Sequence, residues 1–106
     1  MTYLVSNKSP IVYMITCRIT NKSYIGQTRK SLAKRIADHK YSAYNRPCGQ
    51  FHQAIRDYGL ENFDAVVLYR THDFDELNRA EVQLIAEYNT RKNGYNTTPG
   101  GPGRRK

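Results

Sequence analysis

The sequence predicts one small α/β (α+β) domain, with helices packed on a short sheet in the order β-β-α-α-β-α, and three observations predict it. A chain of 106 residues has room for a modest core of two or three helices on a sheet and for no second core. Residues 11–19 (IVYMITCRI) and 23–26 (SYIG) are rich in β-branched and aromatic side chains and stand within hairpin distance across Asn21-Lys22. Residues 73–88 (DFDELNRAEVQLIAEY) repeat their apolar positions at helical spacing.

Taken in order, residues 1–10 read as a polar lead-in, and Pro10 precedes the first strand. The hairpin displays Tyr13 and Tyr24. Gly26-Gln27-Thr28-Arg29 then leaves the second strand, and Ser31 caps a helix running to about Tyr44. Leu32, Ala33, Ile36 and Ala37 form its predicted apolar stripe. Arg35 and His39, four residues apart, lie at the margin of that stripe and are directed toward the sheet edge, whereas Lys30, Lys34 and Lys40 point outward. Spacing alone fits two plainer roles as well: an Arg35 that snorkels to water and a His39 that is partly buried and hydrogen-bonded.

Residues 45–49, with Pro47, are read as a loop. Phe51, Ala54, Ile55 and Tyr58 recur at i, i+3, i+4 and i+7, and Gly59 stops that second helix. His52 falls off the stripe and is expected at the surface. The nearly continuous apolar run at 63–69 (FDAVVLY) predicts a central strand covered on both faces. In the last helix Asp73 and Glu76 form a capping-box pair, and Leu77, Leu84, Ile85 and Tyr88 fall within roughly a quarter of the circumference as the buried arc. Asn93-Gly94 makes a turn, Tyr95-Asn96 a short ordered segment, and residues 99–106 a flexible basic tail. The domain organisation expected is a lead-in over 1–10, the domain over 11–98 and the tail over 99–106.

Glu81 is out of keeping with that arc, because it stands four residues after Leu77 and three before Leu84, near the middle of the buried face. An uncompensated buried carboxylate costs several kcal/mol or more. It is therefore protonated, paired with a cation such as a core-facing arginine, or bound to a metal.

Seventeen Lys and Arg against nine Asp and Glu give a formal net charge of +8, which points to a polyanionic partner, with nucleic acid the default. The basic residues are scattered and no helix pairs a strong apolar face with a basic one, which disfavours a membrane surface. No apolar run suggests a transmembrane span and the N-terminus lacks a signal-peptide core, so a cytoplasmic protein is expected. Cys17 falls in a strand and Cys48 in a loop; they form no CxxC pair and no zinc site with the three histidines, and are expected as free thiols.

Two tyrosines on a hairpin, an arginine and a histidine one helical turn apart and a core-facing glutamate form a phosphodiesterase kit. One carboxylate suffices for Mg²⁺, which keeps most of its water. An arginine presents a fork of donors to phosphate as negative charge accumulates. A tyrosine relays a proton from water only where a cation lowers its usual pKa near 10.

With these residues in place the sequence resembles the GIY-YIG nuclease family. Ile11-Val12-Tyr13 and Tyr24-Ile25-Gly26 carry the two half-motifs, with ten residues between Tyr13 and Tyr24. The resemblance continues through Arg35 and His39 in KSLAKRIADH, the segment DYGLENF at 57–63, Glu81 in NRAEVQLI and Gly94-Tyr95-Asn96, covering roughly residues 11–100. It implies a central three-stranded antiparallel sheet flanked by helices, and hydrolysis of double-stranded DNA with one divalent ion, Mg²⁺ or Mn²⁺. Carried over by position, Glu81 is the metal ligand and Arg35 the phosphate-stabilising group. Tyr13 and Tyr24 orient or deprotonate the attacking water, with the base among them left open. His39 lies close to the scissile phosphate, and Asn96 supports the site.

Gly26 gives close backbone approach. With Lys22, Arg29, Lys30, Lys34, Lys40 and the terminal Arg104, Arg105 and Lys106 it makes up the expected nucleic-acid-binding set. Ile11 replaces the glycine of the first half-motif, a change expected to affect packing and not chemistry. Homing members of the family usually add a long DNA-binding region; here specificity is expected from the basic tail and surface, from a partner or from the domain itself. A monomer in a phage or bacterial setting is the expectation by analogy. The alternative is a catalytically silent nucleic-acid-binding module on the same fold.

Overall fold

The structure, a computed structural model, describes residues 2–3, 10–46 and 49–100, with residues 2–3 as backbone alone. Its centre is a pair of strands, β2 (Ile11–Cys17) and β4 (Phe63–Arg70), that run antiparallel. The period of two along β2 sends Ile11, Tyr13, Ile15 and Cys17 to one face and Val12 and Met14 to the other. Each face is thus the floor of its own core. β3 (Ser23–Thr28) pairs antiparallel with β2 and places Gly26 opposite Tyr13 and Tyr24 opposite Ile15. β3 runs two residues further than predicted, whereas β2 stops at Cys17 and leaves Ile19 exposed beyond the turn.

The three antiparallel strands are the expected sheet, and the lead-in adds to it. Thr2–Tyr3, β1, pairs parallel with β4, so the strand order is β1-β4-β2-β3. The polar composition of residues 1–10 hid this strand, because a two-residue edge contributes backbone hydrogen bonds and too little pattern to read.

On the Tyr13 face lie α1 (Leu32–Asn45) and α2 (Gly49–Tyr58). Ser31 caps α1 as predicted, accepting from the Lys34 N–H at 3.1 Å. Its buried stripe is Leu32, Ile36, His39 and Ala43, whereas Ala33 and Ala37 are exposed. The difference is a rotation of the buried arc: small alanines sit comfortably toward water, and His39 joins the inward face. In α2 the inward residues are Phe51, Ala54 and Ile55, and Gly59, at φ +83°, ends the helix as expected. A 3₁₀ turn over Leu60–Asn62 leads into β4.

The opposite face is covered by α3 (Phe74–Tyr88), packed through Leu77 and Ile85 on Val12 and Ile25. Asp73 accepts from the Asp75 and Glu76 N–H groups, as its place at the helix start predicted. The reciprocal half of the capping box is not made: the Glu76 carboxylate accepts from Tyr69 Oη and Thr71 Oγ1, and the Asp73 N–H goes to Thr71 Oγ1. Tyr88 is half exposed, so the buried arc ends at Ile85. A short helix, α4 (Thr90–Asn93), follows Asn89, whose φ of 56° turns the chain. The chain then returns along the free edge of β3. Cys17 is a buried free thiol, and Cys48 lies outside the described residues. No helix among the described residues is long and apolar enough to cross a membrane.

Candidate active site

The site grows from one steric fact on the hairpin. Gly26 faces Tyr13 across the β2–β3 ladder, and a Cβ at Gly26 would stand 2.6 Å from Tyr13 Oη and 2.9 Å from Tyr24 Cε2. The hydroxyl end of the Tyr13 ring therefore lies over the glycine, where a side chain would collide. Gly26 is buried, and the close approach seen at it is that of Tyr13.

Tyr13 is fully buried, and its hydroxyl joins two elements. Arg35 Nε donates to it at 3.3 Å, and it lies 2.8 Å from His39 Nε2. The other nitrogen of His39, Nδ1, is 3.2 Å from Nε2 of His52 on α2. Tyr24 stacks on Phe51 with centroids 4.4 Å apart and planes 2° from parallel, and meets the His39 ring edge-on at 5.5 Å. Tyr24, Arg35, His39, Phe51 and His52 all border one cavity of roughly 230 Å³. A larger groove of roughly 540 Å³ beside α3, lined by residues such as Val82, Ala86 and Lys92, contains none of these groups; Glu81 lines neither cavity.

Electrostatics follow from that burial. The Tyr13 phenol is pushed far above its ordinary value, first by burial and then by neighbouring Tyr24, with Arg35 opposing. His39 is lowered to about 3, first by burial and then by the cationic Arg35, so its imidazole is neutral at physiological pH. His52 is lowered for the same two reasons. For Arg35 burial works against the charge, but Tyr13, Tyr24 and Asp38 together outweigh it and the guanidinium is raised further; it stays cationic.

Glu81 is 6% exposed on the inward face of α3, as its position in the arc predicted. Its Oε1 accepts from Gln27 Nε2 at 2.7 Å, and the same amide donates to Asn78 Oδ1 at 2.8 Å. Gly100 passes close to it: a Cβ there would lie 3.2 Å from Glu81 Cδ. The Glu81 charge also adds to the upward push on Tyr13, which places the carboxylate within electrostatic reach of the tyrosine. Asn96 is buried and does not itself border the cavity, although its neighbours Tyr95 and Thr97 do. Its amide accepts from the Ile25 N–H and donates to the Ile25 C=O, both at 2.8 Å, which is the pattern of a paired strand residue. With Tyr95 N–H donating to Ser23 C=O it pins the edge of the hairpin that carries Tyr24 and Gly26.

The basic set is dispersed. Lys22, Arg29, Lys30, Lys34 and Lys40 are all exposed. Lys30 and Lys34 share Asp38, at 3.4 and 2.9 Å, and Arg29 sits over the Phe74 ring at 3.7 Å. Arg104, Arg105 and Lys106 lie outside the described residues.

The family model described as GIY-YIG catalytic domain matches residues 9–96. The chain belongs to the GIY-YIG family. The matched segment is the family's catalytic domain. Among solved structures it is similar to two of the catalytic domain of I-TevI, described as an intron endonuclease and a homing endonuclease. One has a TM-score of 0.77 at 21% identity over 86% of this chain and 95% of that one; the other has 0.74 at 22% over 85% and 99%. Two proteins of Invertebrate iridescent virus 6 are each 32% identical: uncharacterized protein 019R over 79 residues, and 146R, described as containing an MSV199 domain, over 81. They match over 73% and 74% of this chain but only 28% and 33% of their own length, so the chain spans about a third or less of these relatives. Both of these relatives are viral.

Three residues of this GIY-YIG domain were missed from sequence: His52, Phe51 and Gln27. His52 was expected at the surface, yet it is half-buried because α2 packs on α1 with His52 turned to His39. Gln27 was legible, since the period of two from Ile25 puts it on the Glu81 face. Phe51 gave only a core signal, and its stacking on Tyr24 depends on packing.

Among the described residues no three His, Cys, Asp or Glu side chains cluster, so any divalent cation here would rest on a single carboxylate, for which the buried Glu81 is the candidate, with waters and phosphate oxygens completing its shell.

Proposed function

We propose that this domain hydrolyses phosphodiester bonds of double-stranded DNA with one divalent cation, Mg²⁺ or Mn²⁺, bound through Glu81. The observation that supports this reading most is the Arg35–Tyr13–His39 chain, which presents a guanidinium, a neutral imidazole and Tyr24 to one cavity. When bound, the cation supplies charge that offsets the developing negative charge on the leaving oxygen.

The chain's own groups do the rest. Arg35 stays cationic and, with Nε tied to Tyr13, turns the remainder of its planar fork toward the cavity, where its attraction grows as charge builds on the phosphoryl oxygens. Tyr13 is buried and neutral, and acts as the hub that fixes the direction of this guanidinium. Tyr24 stacks on Phe51 at the cavity wall, which supports a role for it in orienting the attacking water. His39 is neutral beside it. The exposed lysines and arginines hold the polyanion through a salt-sensitive attraction.

Supercoiled plasmid incubated with the protein and Mg²⁺, Mn²⁺ or chelator tests the reading. Nicked or linear product with either ion, and none with chelator, is the expected result. Tight binding with no product under any ion would leave the nucleic-acid-binding module in its place.

A further inference from the structure

We propose that His52 is a positioning residue of this site: by accepting the Nδ1–H of His39 it sets the imidazole tautomer that receives the Tyr13 hydroxyl, and through Tyr13 it holds Arg35 at the cavity. The catalytic consequence rests on the nuclease reading; the hydrogen-bond direction does not.

The direction follows from counting protons. A guanidinium has donors and no acceptor, so the 3.3 Å contact from Arg35 Nε must end on a lone pair of Tyr13 Oη. The hydroxyl has a single proton. Tyr13 is fully buried, and among the described residues its hydroxyl partners are Arg35 and His39, so that proton goes to His39 Nε2 at 2.8 Å. Nε2 therefore carries the lone pair. A neutral imidazole has one N–H, which must then sit on Nδ1, and Nδ1 faces His52 Nε2 at 3.2 Å. His52 Nε2 is the acceptor, and its own proton lies on Nδ1.

Reversing the chain fails at its buried end. With the His39 proton on Nε2, Tyr13 would face two donors and keep a hydroxyl proton with no acceptor in a place water does not reach. The four groups come from three elements, β2, α1 and α2, so the chain also reports whether α2 is correctly docked. The surroundings favour neutral rings: Arg35 from α1 is the cation facing both histidines, Asp38 acts on His39 more weakly, and Tyr13 and Tyr24 contribute phenols. Phe51, the residue before His52, meets the His39 ring edge-on at 5.0 Å and keeps it upright between the two.

Two variants test this. His52→Gln keeps an acceptor on the side chain, whereas His52→Phe keeps ring volume and removes it. Imidazole ¹⁵N shifts of histidine-labelled protein read the tautomer directly. The wild type and His52→Gln should show His39 with its proton on Nδ1, and His52→Phe a mixture or the Nε2–H form.

Single-turnover plasmid cleavage with Mg²⁺ at saturating DNA should fall about tenfold in His52→Phe, the worth of one hydrogen bond, with DNA affinity within about twofold, and His52→Gln should retain most of the rate. An Nε2–H tautomer in the wild type overturns the proposal. So does a His52→Phe protein with an unchanged His39 tautomer and rate. If His52→Phe does not fold, the wild-type tautomer and the His52→Gln rate decide. A wild type with the expected tautomer and no cleavage under either ion overturns the nuclease reading while leaving the positioning geometry intact.

Discussion

Gly26→Ala is the smallest perturbation that reaches fold and site together. The added methyl would lie 2.6 Å from Tyr13 Oη, 0.8 Å short of the 3.4 Å at which ordinary contact begins. A flexible side chain would move aside at little cost. Tyr13 is a stiff ring, fully buried and tied by its hydroxyl to Arg35 and His39, and Tyr24 blocks the other side at 2.9 Å. Overpacking of this kind costs about 1–3 kcal/mol. Displacing the hydroxyl adds about 1 kcal/mol for each of its two hydrogen bonds. Removing a glycine from the unfolded chain returns about 0.4–1 kcal/mol. The net loss is about 2–5 kcal/mol, a fall in Tm of roughly 10–20 °C for a domain of this size. A shift approaching 1 Å at the group that aims Arg35 should lower cleavage about 10²-fold. Differential scanning calorimetry beside plasmid cleavage checks both. Wild-type Tm and rate in Gly26→Ala would refute the reasoning, because Tyr13 would then not be pinned.

His39 makes stability depend on pH. Its folded value is lowered to about 3 from an unfolded 6.5, so its contribution is full above pH 6.5 and is lost as pH falls toward 3, on the order of several kcal/mol in all. Urea unfolding between pH 7.5 and 4.5 should show that decline and a shallower one in His39→Gln; equal slopes would contradict it. Tyr24→Phe should keep the fold and lower cleavage by roughly 10²- to 10⁴-fold, whereas Tyr13→Phe should lower both cleavage and stability, because it strands His39 and Arg35. Equal Tm values for the two variants would argue against a Tyr13 hub. Glu81→Gln retains a carbonyl oxygen for Gln27 but no anionic charge for a cation, so ion-dependent cleavage should vanish while DNA binding persists in a gel-shift assay; cleavage at the wild-type rate would remove Glu81 as the ligand. Affinity for duplex DNA should fall steeply between 50 and 200 mM salt, and a level response would count against an electrostatic interface.

Local chemistry made much of this domain legible. Ser31, Gly59 and Asp73 mark helix ends because capping is a contact between neighbours in sequence. Glu81 stood out for a similar reason: the helical period alone puts it between Leu77 and Ile85, and a carboxylate there is costly without a compensating partner. Counting Ala33 and Ala37 with Leu32 and Ile36 in the α1 stripe put His39 at the margin, although a stripe at i, i+4 and i+7 would have included it. An alanine is small enough to sit on either side of a helix, so it reports little about which side is buried.

The hairpin sequence by itself specified two tyrosines, a glycine and a turn, and the family pattern around them. Only the tertiary structure decided that Tyr13 lies over Gly26, because that depends on the β2–β3 register. The same holds for His52, which α2 turns toward α1, and for Asn96, whose amide completes the edge of β3 from 71 residues away along the chain. Periods of 3.6 and 2 fix which side of an element is apolar. They carry no information about which polar group on one element will meet a polar group on another, and the hydrogen bonds from Arg35 through Tyr13 and His39 to His52 exist only once two helices and a strand have packed together.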